Sequence, residues 1–159
     1  MNKLELKQII LISLNEKWEI AKSATQRAID AATDEETVPE HKYDTLALEA
    51  SYLAHGQALR VQECEKEIQQ FESMVFHDLK DEKVALGSYV TLLYDDDKTK
   101  HLFMGPCSGG VTVNWQDRIV SVITPLAPLG KAMLGKNLGE EVELKVGDSV
   151  YNYEIIDIH

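Results

Sequence analysis

Two long runs of this chain place apolar or small residues three and four positions apart, which constrains its fold more than any other feature. The first passes through Leu4, Leu11, Leu14, Trp18, Ala21, Thr25, Ala28 and Ala32, with Lys7 and Thr25 as its polar members. The second passes through Ala47, Ala50, Ala54, Gln57, Val61, Cys64, Ile68, Phe71 and Val75. Sustained 3,4 spacing keeps one stripe of a helix facing a partner and is the seam of a coiled coil. Between the runs lies TDEETVPEHKYD, where Pro39 and an acidic cluster interrupt the pattern. A short break between two seams of similar length predicts an antiparallel helical hairpin. Roughly thirty residues per arm at about 1.5 Å each make a rod on the order of 45 Å long. Seam residues next to the break are alanines, whereas Leu11, Leu14, Trp18, Ile68 and Phe71 lie away from it. The hairpin should therefore be slender at its acidic tip and better packed at its base. Such a rod is either a probe carrying carboxylates or a hairpin with a weakly packed end.

Composition changes near residue 80. Residues 1–80 hold one proline and one glycine, Pro39 and Gly56, while residues 81–159 hold three prolines and eight glycines. The second part reads as a compact β-rich domain. SYVTLLYD (88–95) and KHLFMG (100–105) are β-prone runs joined by Asp96, Asp97, Lys98 and Thr99. VTV (111–113) and IVSVI (119–123) follow, separated by NWQDR. TPLAPLGKAMLG (124–135) predicts a short helix with Thr124 as N-cap, Pro125 just inside and Gly135 at its end. EVELKV and SVYNYEIIDI flank the Gly147-Asp148 turn and predict a closing hairpin. Five or six strands with one helix imply an antiparallel sheet covered on one face. The expected class is α+β: a coiled-coil hairpin over residues 1–80 and a β-sheet domain over residues 81–159.

Charge narrows the functions. Sixteen Lys and Arg against 27 Asp and Glu give a net charge of -11. Nucleic-acid binding relies on basic side chains displacing phosphate counterions, so this balance opposes a primary DNA or RNA binder. It suits a protein partner with a basic surface, or a role for carboxylates. No apolar window is long enough for a membrane span, and no export signal opens the chain, so a cytoplasmic protein without a membrane partner is expected. Cys64 and Cys107 are too few for a disulfide framework or a four-ligand metal site. His41, His55, His77, His101 and His159 show no zinc-site spacing. The GPCSGG segment around Cys107 reads as a turn, and Trp18 and Trp115 as packing residues.

The order of these features resembles the Gre family of bacterial transcription factors, GreA and GreB. The strongest match is SVITPLAPLGKAMLGKNLGEEVEL, with anchors Ser121, Val122, Thr124, Pro125, Leu134, Gly135, Lys136, Gly139 and Val142. GSYVTLLYDDD (87–97) and Gly105-Pro106 also fit the family's opening strands, and the helical hairpin precedes them in the family's order. The resemblance implies an FKBP-like C-terminal domain that docks on bacterial RNA polymerase through Thr124, Pro125, Leu134, Gly135 and Lys136. It also implies a coiled coil that enters the polymerase secondary channel, near the 3′ end of the nascent RNA. There, tip carboxylates would share the polymerase's Mg²⁺; the chain would hold no metal or cofactor alone. It would not be an enzyme itself, but at most a stimulator of the polymerase's own Mg²⁺-dependent nuclease.

The tip departs from the family pattern, in which Asp-x-x-Glu is followed by Asn and then Tyr. Matching Glu40-His41 to Glu-Asn puts Thr37 at the Asp position. Anchoring on Tyr43 instead puts Glu36 at the Asp position and Pro39 at the Glu position. Either way one carboxylate is displaced. Glu36 and Glu40 remain the candidate catalytic acids, with Asp34, Glu35 and Asp44 as supporting charge. Lys17, Lys22 and Arg27 put modest positive charge on the first helix. Three classes stay open: a cleavage or anti-arrest factor, a non-cleaving regulator of the same channel, and a prolyl isomerase suggested by fold alone.

Overall fold

The computed structural model describes residues 2–33, 46–77, 79–80 and 82–159. Two long helices come first, α1 (Lys3–Thr33) and α2 (Leu46–Ser73). Strands β1 (Tyr89–Tyr94), β2 (Lys98–Met104), β3 (Thr112–Trp115) and β4 (Arg118–Ile123) follow, then the short helix α3 (Pro128–Met133) and strands β5 (Glu141–Val146) and β6 (Ser149–Ile158). No described helix is long and apolar enough to cross a membrane.

The chain forms two compact units, and they do not divide at residue 80. One comprises Met1–Leu11 with Gln70–His159, the other Ile12–Gln69. Residue 80 marks a change of composition, but both ends of the helical stretch pack with the sheet. Asn2 caps α1, its side-chain oxygen accepting from the Glu5 amide at 3.3 Å. The Lys7 ammonium donates to the carbonyls of Glu72 and Met74 at 2.8 and 2.9 Å. Lys3, only 8% exposed, donates to the carbonyls of His77 and Gly87. Glu72 lies in the last turn of α2, where carbonyls lack helical partners, and Met74 and His77 lie just past it; these two lysines satisfy those three carbonyls. Lys7, a polar interruption of the apolar ladder, is thus a capping group.

In this first unit the sheet order is β3-β4-β2-β1-β6-β5. Four of its five pairings are antiparallel as expected, but β2 and β4 run parallel, with His101 opposite Val120 and Met104 opposite Ile123. The sheet is mixed because β3 and β4 form a hairpin that returns along β2. One face carries the core: Val90, Leu92, Leu102, Met104, Val142, Tyr153 and Ile155 pack with Leu129 and Met133 of α3. The expectation of a sheet covered on one face fails. On the opposite face Phe103 meets the rings of Phe71 and Phe76 at 6.3 and 5.5 Å, and Trp115 donates to Glu5 at 2.8 Å. The buried side of α1 here is Leu6 and Ile10, both fully inaccessible, whereas Leu4 is 63% exposed. Val75, expected on the second seam, lies beyond α2 and is exposed.

In the second unit α1 and α2 run antiparallel. Trp18 donates to Glu65 at 3.2 Å, and Lys17 pairs with Glu67 at 3.7 Å. The buried seam positions are Leu14, Ala21, Ala28 and Cys64, and the remaining expected ones, from Trp18 to Ile68, are half-buried. Gly56 lies inside α2, so it does not separate the two helices; residues 34–45 lie between Thr33, the last residue of α1, and Leu46, the first of α2. Those residues, with the candidate acids Asp34, Glu35, Glu36, Glu40 and Asp44, lie outside the described part of the structure.

Candidate functional site

The segment from Thr124 to Glu140 connects β4 to β5 and contains every described residue that the sequence nominated for partner binding. Its helix starts later than expected. Ala127, not Thr124, is the N-cap, with φ -68° and ψ 147°, and Pro128 opens α3. The reason is local: a residue before proline is held out of the helical region, and Ala127 precedes Pro128. Residues 124–127 instead form a turn in which the Ala127 amide donates to the Thr124 carbonyl at 3.1 Å. Gly130 lies directly beneath that turn, where a Cβ would fall 2.0 Å from the Thr124 carbonyl oxygen. No residue but glycine fits there without moving the backbone.

The far end is fixed as tightly. The Leu134 amide closes α3 on Gly130, and Gly135 follows at φ +79°, the left-handed conformation that ends helices. Gly135 donates to the Val84 carbonyl and Val84 donates to the Lys136 carbonyl, both at 2.8 Å. Further on, Gly139 donates to the Ile155 carbonyl and Ile155 to the Glu140 carbonyl. Glu140 also accepts from the backbone amide and the side-chain amide of Asn137. Those hydrogen bonds, helped by nearby Lys136, hold the Glu140 carboxyl below its ordinary range.

A segment pinned at both ends displays apolar side chains to water. Leu126, between Pro125 and Pro128, is 91% exposed. Leu134 and Leu138 are exposed too, as is Leu86, two residues from the Val84 contact. Thr124, Pro125 and Lys136 are half-buried, so their part is to shape the turn and carry a cation at its edge. Leu126 and Leu138 were not singled out from sequence. The signal for Leu126 was its position two residues before a proline and one after another, where the chain cannot fold it into a helix face.

What this segment presents to water includes apolar side chains, with the cation of Lys136 at their edge. Among the described residues no three His, Cys, Asp or Glu side chains come together to hold a metal ion. Cys64 is buried on the α2 seam, and Cys107 is half-buried beside Ser108. Trp115 is buried against Tyr89, and Trp18 lies under the Lys22 ammonium at 3.9 Å. Lys17 and Lys22 are engaged with Glu67 and Glu19 within the hairpin.

Residues 79–159 match the family model for the C-terminal part of the transcription elongation factors GreA/GreB. A curated transcription elongation factor GreA from Syntrophus aciditrophicus is 25% identical over 138 residues, covering 86% of this chain and 80% of that protein. The GreA of Novosphingobium aromaticivorans is 35% identical over 82 residues, 50% of this chain and 48% of that one. Among solved structures, GreA factor homolog 1 (Gfh1) of Thermus thermophilus aligns over 94% of both chains at 19% identity and TM-score 0.38.

Proposed function

This chain belongs to the GreA/GreB family of transcription elongation factors, and we propose that it docks on bacterial RNA polymerase and places its helical hairpin in the secondary channel. The observation that carries the docking half is Leu126, a leucine 91% exposed on a backbone fixed at both ends. Exposed apolar groups held rigidly gain the most on association, because little side-chain or loop freedom remains to be lost. Leu134 and Leu138 extend the apolar surface, and Lys136 adds a cation. Thr124, Pro125 and Gly135 act by setting the shape of the loop.

The hairpin would carry Glu36 and Glu40 toward the polymerase active centre, with Asp34, Glu35 and Asp44 adding negative field. The Mg²⁺ there belongs to the polymerase; when held, it supplies Lewis-acid chemistry for hydrolysing the transcript. This chain's part is to bring carboxylate oxygens, the ligands a hard cation takes. It is no enzyme alone, and its relation to the RNA 3′ end is indirect. A second reading, a channel regulator that does not promote cleavage, is favoured by the tip spacing, where Thr37 or Pro39 stands in place of one expected carboxylate.

Adding the purified full chain to a backtracked elongation complex tests both. We expect weak or no shortening of the transcript, together with inhibition of a bona fide cleavage factor added afterwards. Strong shortening that collapses in Glu36→Gln or Glu40→Gln, with polymerase binding intact, would make that residue the acting acid. The absence of both shortening and inhibition would overturn the channel reading.

A further inference from the structure

The tip of the β1–β2 hairpin and the start of β6 build a second surface that the docking segment does not use. Tyr94 ends β1, and Tyr151 and Tyr153 alternate on the same side of β6, where the core gives way to solvent. The rings of Tyr94 and Tyr153 are 5.7 Å apart. With Asp95, Asp96, Asn152 and Val150 they line an open trough of about 440 Å³. A neighbouring recess of about 260 Å³ shares most of these walls and adds the carboxylates of Glu141 and Glu154. Tyr151 is 48% exposed, more aromatic surface than packing requires.

From this arrangement we infer that the trough receives an arginine side chain from a protein partner. The floor is aromatic and the rim is anionic, a combination that disfavours an apolar segment and favours a flat cation. A guanidinium stacks on a tyrosine face and can also fork two hydrogen bonds to a carboxylate, whereas an ammonium does only part of this. The Tyr153 ring already draws a cation from within the chain: the Lys100 ammonium lies 5.9 Å from its centre. Lys98 pairs with Asp95 at 3.5 Å, but both side chains are mostly exposed, and such a pair yields readily to a better-placed cation. Burial, then the adjacent Tyr94, Tyr151 and Asp95, raise the Tyr153 phenol above its ordinary value, so its hydroxyl stays a neutral donor. Net charge of -11 supplies the long-range attraction for a basic partner. A protein, rather than a free small cation, fits a trough open along its length. The inference stands apart from the polymerase reading, since it concerns different residues and its test needs no polymerase.

The test is an NMR titration of the ¹⁵N-labelled full chain with a blocked pentapeptide, Gly-Gly-Arg-Gly-Gly, and its lysine counterpart. Shifts should concentrate in residues 94–96 and 150–153, with the arginine peptide tighter by about two- to fivefold, the range of an exposed cation–π contact. Tyr151→Ala and, separately, Asp96→Asn should each weaken it by a similar factor while distant resonances stay unmoved. Absent shifts, shifts spread over all acidic surfaces, equal binding of the two peptides, or unchanged binding in both variants would overturn the assignment. So would spermidine binding the trough more tightly than the arginine peptide, which would make the ligand a free polyamine.

Discussion

The two compact units bury different kinds of residue. The sheet unit is centred on large side chains with no accessible surface: Leu6, Ile10, Phe71, Tyr89, Leu92, Phe103, Met104, Met133, Ile155 and Ile158. The hairpin unit buries Leu14, Ala21, Ala28 and Cys64, and leaves Ile12, Ile20, Leu48, Tyr52, Leu53 and Leu59 exposed. Apolar burial contributes roughly 25 cal/mol per Å², so the first unit draws on far more of it. The second depends on helix propensity and on a thin seam. In this family member, cohesion is concentrated in the unit proposed to dock, and the arms proposed to probe are held lightly.

That contrast is most easily broken at Phe71. It belongs to α2 by sequence but to the sheet unit by packing, its ring against Phe103 and Gly105. Phe71→Ala should cost about 3–5 kcal/mol, the range for emptying a buried aromatic site. Urea unfolding followed by tryptophan fluorescence measures it; a cost below about 1 kcal/mol would show that the sheet unit does not need the helix end. For the same reason, a fragment beginning at residue 84 is a poor carrier of the docking surface. It would lack Phe71, Leu6 and Ile10, and uncover the face bearing Phe103.

Gly130→Ala addresses the sheet unit's docking segment. Its Cβ would overlap the Thr124 carbonyl, so the turn carrying Leu126 must shift. A loss of about 1–3 kcal/mol is expected, with chemical-shift changes centred on residues 123–131. In the hairpin unit the same substitution should have the opposite sign. Gly56 is exposed within α2, and nothing lies within 4 Å of where its Cβ would sit. Gly56→Ala should raise stability by about 0.5–1 kcal/mol, seen as a small upward shift in thermal midpoint.

The same contrast decides what could be read from sequence. The hairpins turning at Asp96-Asp97 and at Gly147-Asp148 were visible because β-prone runs flank turn-forming residues. The parallel β2–β4 pairing was not, since no local pattern tells which strand a returning hairpin will join. From Leu14 to Ala32 the 3,4-spaced stripe coincides with the buried face at Leu14, Ala21 and Ala28. That face was legible although Ile20 and Ile29 lie off it and are exposed. From Leu4 to Ile12 nearly every side of the helix is apolar, so Leu4 and Leu11 were chosen where packing selects Leu6 and Ile10. The 124–140 segment was singled out by resemblance, yet Leu126 stood out only from its exposure. The tip acids were nominated by chemistry alone, because spacing along the chain does not give a carboxylate's position in space.

The central claim, that this chain engages RNA polymerase through the rigid 124–138 segment, is tested by one affinity measurement. Full-length parent and the Leu126→Ser/Leu134→Ser double variant would be titrated against bacterial RNA polymerase by biolayer interferometry. Both leucines are exposed, so the variant should unfold at the parent's denaturant midpoint. We expect the parent to bind and the variant to lose affinity by about tenfold or more, as desolvating a leucine side chain at an interface implies. A parent that does not bind, or a folded variant that binds as tightly as the parent, would contradict the account.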